Sequence, residues 1–234
     1  MKPSSGDAAM PGYVRPMRRE DITQVSEIDR EAFPTEWPPP NFRRELENRL
    51  AHHIVACDPE KTVNRPEVEV SPKKGFVGLV SRVRGLFSHN RLFSEGLLAP
   101  RGQYVIGFAG FWIMADEAHI TAIATRKVHR QQGIGELLLI SIIEQATKLN
   151  ARIITLEVRV SNTTAQRLYS KYGFTQAGVR RGYYTDNKED AILMSTDGIT
   201  SAPFQARLEQ LKQAYAMKWK TAHYQGEHQP PVQW

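Results

Sequence analysis

Ala118-His-Ile-Thr-Ala-Ile-Ala-Thr-Arg-Lys-Val-His-Arg-Gln-Gln-Gly-Ile-Gly-Glu-Leu-Leu-Leu-Ile140 carries three signals in succession. An apolar, β-branched segment stops at Arg126-Lys127, a basic turn follows, and Gly133 and Gly135 open a strongly apolar helix. Strand, glycine-bearing turn and helix N-terminus make a phosphate cradle. The first helical turn has unpaired N–H groups, the macrodipole favours negative charge there, and glycine lets a ligand approach the backbone.

Upstream, Gln103 to Ala115 reads as a strand, joined by a turn at Asp116-Glu117 to a second strand over Ala118 to Val128. Tyr13 to Met17 alternates weakly, as a short first strand would. Asp21 then precedes Ile22, Val25, Ile28 and Ala32-Phe33 at helical spacing, with Gln24 placed for a capping-box-like start. Prolines break the chain around Trp37, Asn41 is expected to cap a helix bearing Phe42, Leu46 and Leu50, and His52 to Cys57 reads as a strand.

Between Asp58 and Gly102 the pattern degrades into a proline-punctuated, charged insertion (58–102). Within it, Phe76, Leu79-Val80, Val83 and Leu86-Phe87 recur at helical spacing among basic residues. Residues 73–93 would suit a membrane surface or an acidic partner, and equally a surface helix or an unstructured loop.

Downstream, Gly135 to Asn150 is apolar nearly all round at first, as in a buried helix. Arg152 to Val160 is a strand, Asn162 caps a short helix ended by Gly173, and Phe174 to Tyr184 and Asp190 to Ser195 form a closing hairpin. In the tail (197–234), Phe204, Leu208, Leu211, Tyr215 and Trp219 make one apolar helical stripe, expected to dock on the body or, less simply, on a second copy.

At 234 residues, 41% hydrophobic and 24% charged, the chain suits one α/β domain (13–196) with additions. Residues 1–12 are polar and expected to be disordered, without the apolar core of a signal peptide. No apolar run reaches the roughly 18 residues that span a bilayer. A lone cysteine, Cys57, excludes an internal disulfide or a cysteine cluster for zinc. A cytoplasmic protein is the expectation. The net charge of +6 fits an anionic ligand or work near nucleic acid, but no direct nucleic-acid site is evident.

Arg130-Gln131-Gln132-Gly133-Ile134-Gly135 is an R-x-x-G-x-G turn, distinct from the dinucleotide fingerprint and the P-loop. Leu156-Glu-Val-Arg-Val-Ser-Asn162 and Leu168-Tyr-Ser-Lys-Tyr-Gly-Phe174 follow it, with Arg180-Arg-Gly-Tyr-Tyr184 and Glu189-Asp-Ala-Ile192 beyond. With Glu31-Ala-Phe-Pro34, Trp37 and Ile123-Ala124, these motifs resemble the GNAT acetyltransferases, and more closely the RimI-type ribosomal-protein alanine N-acetyltransferases. The resemblance covers nearly all of 13–196 outside the insertion. Two departures are Lys127, where the family usually has proline, and Thr125, where it often has valine.

The resemblance implies the GNAT acyl-CoA N-acyltransferase fold, a mostly antiparallel twisted sheet flanked by helices. It implies acetyl-CoA as co-substrate and attack by a protein's N-terminal amine on the thioester, through a tetrahedral intermediate that expels CoA thiolate. Glu157 then stands at the base position and Tyr169 at the general acid. The cofactor would lie on Arg130, Gln131, Gln132, Gly133, Ile134 and Gly135, with Ile123, Ala124, Thr125 and Asn162 along the pantetheine arm. Tyr183 and Tyr184 would line the peptide groove.

Each residue also has an ordinary structural use. Glu157 could be a solvated strand residue paired with Arg159, Tyr169 a packing residue, Asn162 a helix cap, and Tyr183 and Tyr184 strand aromatics. His119 and His129 have no partners at metal-ligand spacing, and no metal is expected.

The expected acceptor is an N-terminal α-amine, the N-terminal alanine of a small-subunit ribosomal protein. The alternatives are another N-terminus, a lysine, a small amine, or a CoA-binding module without turnover. An α-amine with pKa near 7.8 sheds its proton far more readily than a lysine near 10.4.

Overall fold

The computed structural model describes residues 12–34, 39–64 and 101–219. Trp37, the 73–93 stretch and the ends of the chain lie outside these residues. The strands are β1 (Tyr13–Pro16), β2 (Ala51–Asn64), β3 (Arg101–Met114), β4 (Glu117–Thr125), β5 (Ile153–Arg159), β6 (Phe174–Arg180) and β7 (Ala191–Thr196). The helices are α1 (Ile22–Ala32), α2 (Phe42–Glu45), α3 (Ile134–Lys148), α4 (Thr163–Lys171) and α5 (Ala202–Lys218). The strands form one sheet in the order β1-β2-β3-β4-β5-β7-β6, antiparallel except for the β4–β5 pair.

Alternation along the strands sends apolar side chains to both faces. Ile54, Ala56, Ile106 and Phe111 join α3 on one side; Val55, Cys57, Val105 and Phe108 join α1 and Phe42 on the other. Burial on the first side explains why α3 is apolar nearly all round. It lies between the sheet and α5, and Leu138, Leu139, Ile142 and Ile143 have no exposure. The stripe on α5 docks as its spacing predicts, with Leu208 and Tyr215 buried and Phe204, Leu211 and Trp219 packed against the same core.

Some local expectations are corrected. Gln24 does not complete a capping box: its side chain bridges to β3, accepting from Val105 N–H and donating to Gln103 C=O, each at 3.0 Å. The Asp21 carboxylate goes to Arg15 and to the Arg18 N–H instead of capping α1. Asn41 does cap α2, but the helix stops at Glu45 and Leu50 is exposed, because the Asn48 side chain accepts from Leu50 N–H in a turn. β2 runs past Cys57. The Asp58 side chain turns the chain by accepting from Glu60 and Lys61 N–H, and Thr62 to Asn64 pair again with Gln103 to Arg101. The ladder therefore takes in both ends of the 58–102 insertion.

Candidate active site

The site begins with a break in the sheet. β4 and β5 pair only from Glu117↔Ile153 to Ile120↔Leu156. On the other side of β4, Gly110 pairs with Ala122 and Phe111 with Ile120, so Thr121 is an extra residue. Such a bulge bends its strand. From there the two parallel strands part, and the β4 edge at Ala122–Thr125, including Ile123 and Ala124, has no strand partner on the β5 side among the described residues. An extended ligand could add to that edge as a strand does.

Past Thr125, Arg126 is buried and anchors the strand exit to α1. It donates to Val105 C=O at 2.9 Å and pairs with Glu27 at 2.8 Å and Glu31 at 3.5 Å. Lys127 N–H donates to Glu31 Oε2 at 3.1 Å, a bond that the family's usual proline could not make. The turn then passes through two left-handed residues, Gln131 (φ 61°) and Gly133 (φ 81°), before α3. The first backbone bond of the helix is Leu137 N–H to Gly133 C=O at 2.9 Å, and among the described residues no acceptor meets the N–H groups of Ile134, Gly135 and Glu136. A Cβ on Gly135 would meet only Thr125 Oγ1, at 4.0 Å, so the ground above it is open. Free donors, open space at Gly135 and the unpaired β4 edge fit a phosphate-bearing, extended group such as acetyl-CoA.

Glu157 lies one residue beyond the last paired position of β5, where the strands part. Its side chain is only 8% exposed, and it does not pair with Arg159. Its Oε2 is 3.1 Å from His119 Nε2 and its Oε1 is 2.9 Å from Arg180. His119 Nδ1 is 2.9 Å from Thr155 Oγ1, and the Thr155 hydroxyl donates to Glu117 in turn. Since that hydroxyl proton goes to Glu117, the imidazole donates from Nδ1, and the Nε2–carboxylate contact needs a proton of its own.

His119 is the residue that sequence reasoning passed over, having weighed it only as a metal ligand. The usable signal was its strand register, which places it opposite Thr155 and beside Glu157.

Arg159 is taken up elsewhere on the same strand face. It holds Asp186 through two bonds of 3.0 and 2.9 Å, binds Glu189 at 3.1 Å, and stacks on the Tyr184 ring at 3.8 Å. Tyr183 and Tyr184 are thus not strand aromatics. β6 ends at Arg180, and Gly182 (φ 57°) turns the chain while its N–H donates to Asp190. Tyr183 is 44% exposed and meets Tyr184 edge-on at 5.3 Å.

Tyr169, on α4, packs against the core and against Phe174, and its hydroxyl has no hydrogen-bond partner among the described residues. Burial, then the nearby Tyr184, pushes its phenol up to about 12. Tyr184 is also pushed up to about 12, mainly by burial; Arg159 opposes this, and Tyr183 and Glu157 add to it. Tyr184 therefore lies close enough to both Tyr169 and Glu157 to feel their charge. The fold gathers Glu157, His119 and Arg180 at the parting of β4 and β5, with Tyr184 in electrostatic range of Glu157 and of Tyr169.

Asn162 is the cap of α4, its side-chain oxygen accepting from Ala165 N–H at 3.2 Å. Its amide N–H groups remain able to donate. Among the described residues no three His, Cys, Asp or Glu side chains are grouped to hold a metal ion, and no helix is long and apolar enough to cross a membrane.

Comparison with known proteins adds to this geometry. A sequence model of the Acetyltransferase (GNAT) family matches residues 74–174. A Bacillus subtilis protein named putative [ribosomal protein bS18]-alanine N-acetyltransferase is 36% identical over 182 residues, covering 77% of this chain and 92% of that protein. The Escherichia coli K12 [ribosomal protein bS18]-alanine N-acetyltransferase is 41% identical over 90 residues, 38% of this chain and 61% of that protein. Among solved structures, the ribosomal-protein-S18-alanine N-acetyltransferase from Escherichia coli superposes with a TM-score of 0.58 at 22% identity, covering 82% of this chain and 96% of that one. Ard1 from Thermoplasma volcanium gives 0.54 at 21% identity, covering 80% and 98%. At these identities the two structures speak for the fold.

Proposed function

The chain belongs to the GNAT family and is an acetyl-CoA-dependent N-acetyltransferase, and we propose that its acceptor is a protein N-terminal α-amine, specifically the N-terminal alanine of ribosomal protein bS18. The observation that carries this is the likeness to the Bacillus subtilis protein, which runs over 92% of that protein's length. The geometry around Glu157 supports it.

Acetyl-CoA supplies an activated acyl carbon. In the proposed roles, the unpaired β4 edge at Ile123–Thr125 and the amide of Asn162 bind the arm, and Arg130 to Gly135 hold the phosphates. The Glu157–His119 pair takes the proton from the incoming ammonium group. Without its shared proton the pair sets an imidazole lone pair against a carboxylate, and accepting one proton relieves that repulsion. An α-amine near pKa 7.8 asks little of such a base, whereas a lysine near 10.4 asks for about 3.5 kcal/mol more. Tyr169 keeps its hydroxyl proton at neutral pH and gives it to the departing sulfur. Tyr183 and Tyr184, held by Arg180 and Arg159, flank the acceptor peptide. We place residues 13–196 as the catalytic domain, with 58–102 and 197–234 as its additions.

Thiol release from acetyl-CoA, measured with bS18 N-terminal peptides, peptides with other first residues, internal-lysine peptides and polyamines, tests the assignment. The bS18 peptide beginning with alanine should give the highest kcat/KM. Release only with polyamines or lysine would refute the N-terminal acceptor, and no release with any amine would point to a binding module.

A further inference from the structure

Ala118 and Ile120 of β4 and Ile154 and Leu156 of β5 belong to the core under α3. The alternate residues Glu117, His119, Thr155 and Glu157 therefore turn their side chains to the opposite face. The parallel register sets Thr155 across from His119. A zigzag of contacts results, crossing from strand to strand toward the point where the strands part. It runs from Glu117 to the Thr155 hydroxyl, back to His119 Nδ1 at 2.9 Å, and from His119 Nε2 to Glu157 at 3.1 Å.

The far end of this zigzag decides what the near end can do. A threonine hydroxyl has one proton, and here it goes to Glu117, whose carboxylate only accepts. Thr155 is 8% exposed, which leaves water little access to compete for it. Arg152, which begins β5's approach, is taken by Asp116 at 2.7 Å, and no cation pairs with Glu117 among the described residues.

Without Glu117 the Thr155 hydroxyl could donate to His119 Nδ1. The imidazole would then carry its proton on Nε2 and satisfy Glu157 at rest, with no call for another proton. With Glu117 in place that tautomer sets the Nδ1 lone pair against a hydroxyl oxygen that has no proton to offer. The proton is held on Nδ1, because the bond made by one ring nitrogen fixes the state of the other. A hydroxyl that donates to a carboxylate is also a better acceptor for Nδ1–H, which favours the proton-loaded ring.

We propose that Glu117, acting through Thr155, is a positioning residue that fixes the tautomer of His119 and so strengthens the Glu157–His119 pair as acceptor of the substrate amine's proton. This rests on the reading of that pair as the base. Neither Glu117 nor Thr155 touches the substrates; their effect passes through the imidazole.

The test compares Glu117→Ala, Thr155→Val and Thr155→Ser in the full chain, by steady-state kinetics with acetyl-CoA and an alanine-first peptide and by nitrogen-15 NMR of the His119 ring. Glu117→Ala and Thr155→Val should each lower kcat about tenfold or more, as for lost partners that orient a histidine, with the KM for acetyl-CoA unchanged. Thr155→Ser keeps the hydroxyl and should keep kcat. The neutral His119 ring should carry its proton on Nδ1 in wild type and on Nε2 in Glu117→Ala. In a His119→Gln background, Glu117→Ala should cost nothing further, since coupled residues are not additive. Wild-type kcat in Glu117→Ala, or a neutral wild-type ring protonated on Nε2, would overturn the proposal. A loss of the same size in the His119→Gln background would assign Glu117 to strand packing and overturn it too. Full activity of Glu157→Gln would remove the base reading itself, an outcome distinct from a Glu117–Thr155 arm that does not contribute.

Discussion

Glu157 Oε2 and His119 Nε2 stand 3.1 Å apart, on neighbouring parallel strands, at the point where those strands separate. Neither residue would be so placed by its own strand. The contact depends on β4 and β5 pairing for four rungs and then parting at the Thr121 bulge.

If this pair is the base, Glu157→Gln should lower kcat by about 10²–10⁴-fold, the range of a general base, with little change in the KM for acetyl-CoA. His119→Gln should lower kcat less, since the carboxylate stays but loses its hydrogen-bond partner. Steady-state kinetics with a saturating N-terminal peptide decide it. A fully active Glu157→Gln enzyme would remove the base assignment.

Tyr169 is held at about 12 by burial and by Tyr184, so it remains protonated well beyond the working range. The folded-state pKa is raised, and the donating form is therefore complete at every pH below it. The alkaline limb of kcat should show no Tyr169 ionisation up to about pH 10. Tyr169→Phe should lower kcat at every pH in that window with the profile's shape preserved. Full turnover by the phenylalanine variant at saturating substrates would end the acid role.

Glu189 pins the tyrosine-bearing loop. Hydrogen bonding with Ser161, then with Arg159 and Asn187, lowers its carboxyl to about 2. A depressed folded-state pKa means stability that is present above the ordinary carboxylate range and lost as pH falls from about 4.5 toward 2. Glu189→Gln should therefore melt lower than wild type at pH 7, with the gap narrowing as pH falls through that window. Melting curves at pH 7, 4 and 2.5 would show it, and a gap that widens on acidification would contradict hydrogen bonding to the ionised carboxylate as the cause.

Two glycines in one turn should respond differently to alanine. At Gly133 the left-handed φ of 81° and the Trp219 edge at 2.5 Å both oppose a Cβ, and Gly133→Ala should cost about 1–3 kcal/mol of stability. At Gly135 there is room, and helix propensity favours alanine by about 1 kcal/mol. Gly135→Ala should hold or gain stability while binding CoA more weakly, because the methyl group fills the open ground of the proposed phosphate site. Denaturant titration together with CoA calorimetry separates the two effects.

Much of the fold follows from local pattern. Period-two alternation, the glycine pair before an apolar helix, Asn162 as a cap and the stripe from Phe204 to Trp219 all act through neighbours in the chain, and α1, β4, α3, β5, α4 and α5 form within a few residues of where the pattern puts them. The turn at Arg130 to Gly135 is legible for the same reason, since consecutive backbone groups build it. Local pattern misled where a distant partner competed for a side chain. Gln24 is drawn to β3 and Asp21 to Arg15, so the expected cap is lost. Tyr183-Tyr184 leaves the strand because Asp190 and Arg159 tie the loop into a separate turn.

Consecutive residues specify the kind of elements, their order, the glycine turn before α3 and the candidates Glu157 and Tyr169, since periodicity, glycine placement and motif order are local properties. Long-range packing makes His119 the partner of Glu157, sets Arg159 on Tyr184 and brings Trp219 to Gly133. Those contacts join residues 38, 25 and 86 positions apart (157 − 119, 184 − 159, 219 − 133). They are set by strand register and helix packing, which no local pattern encodes.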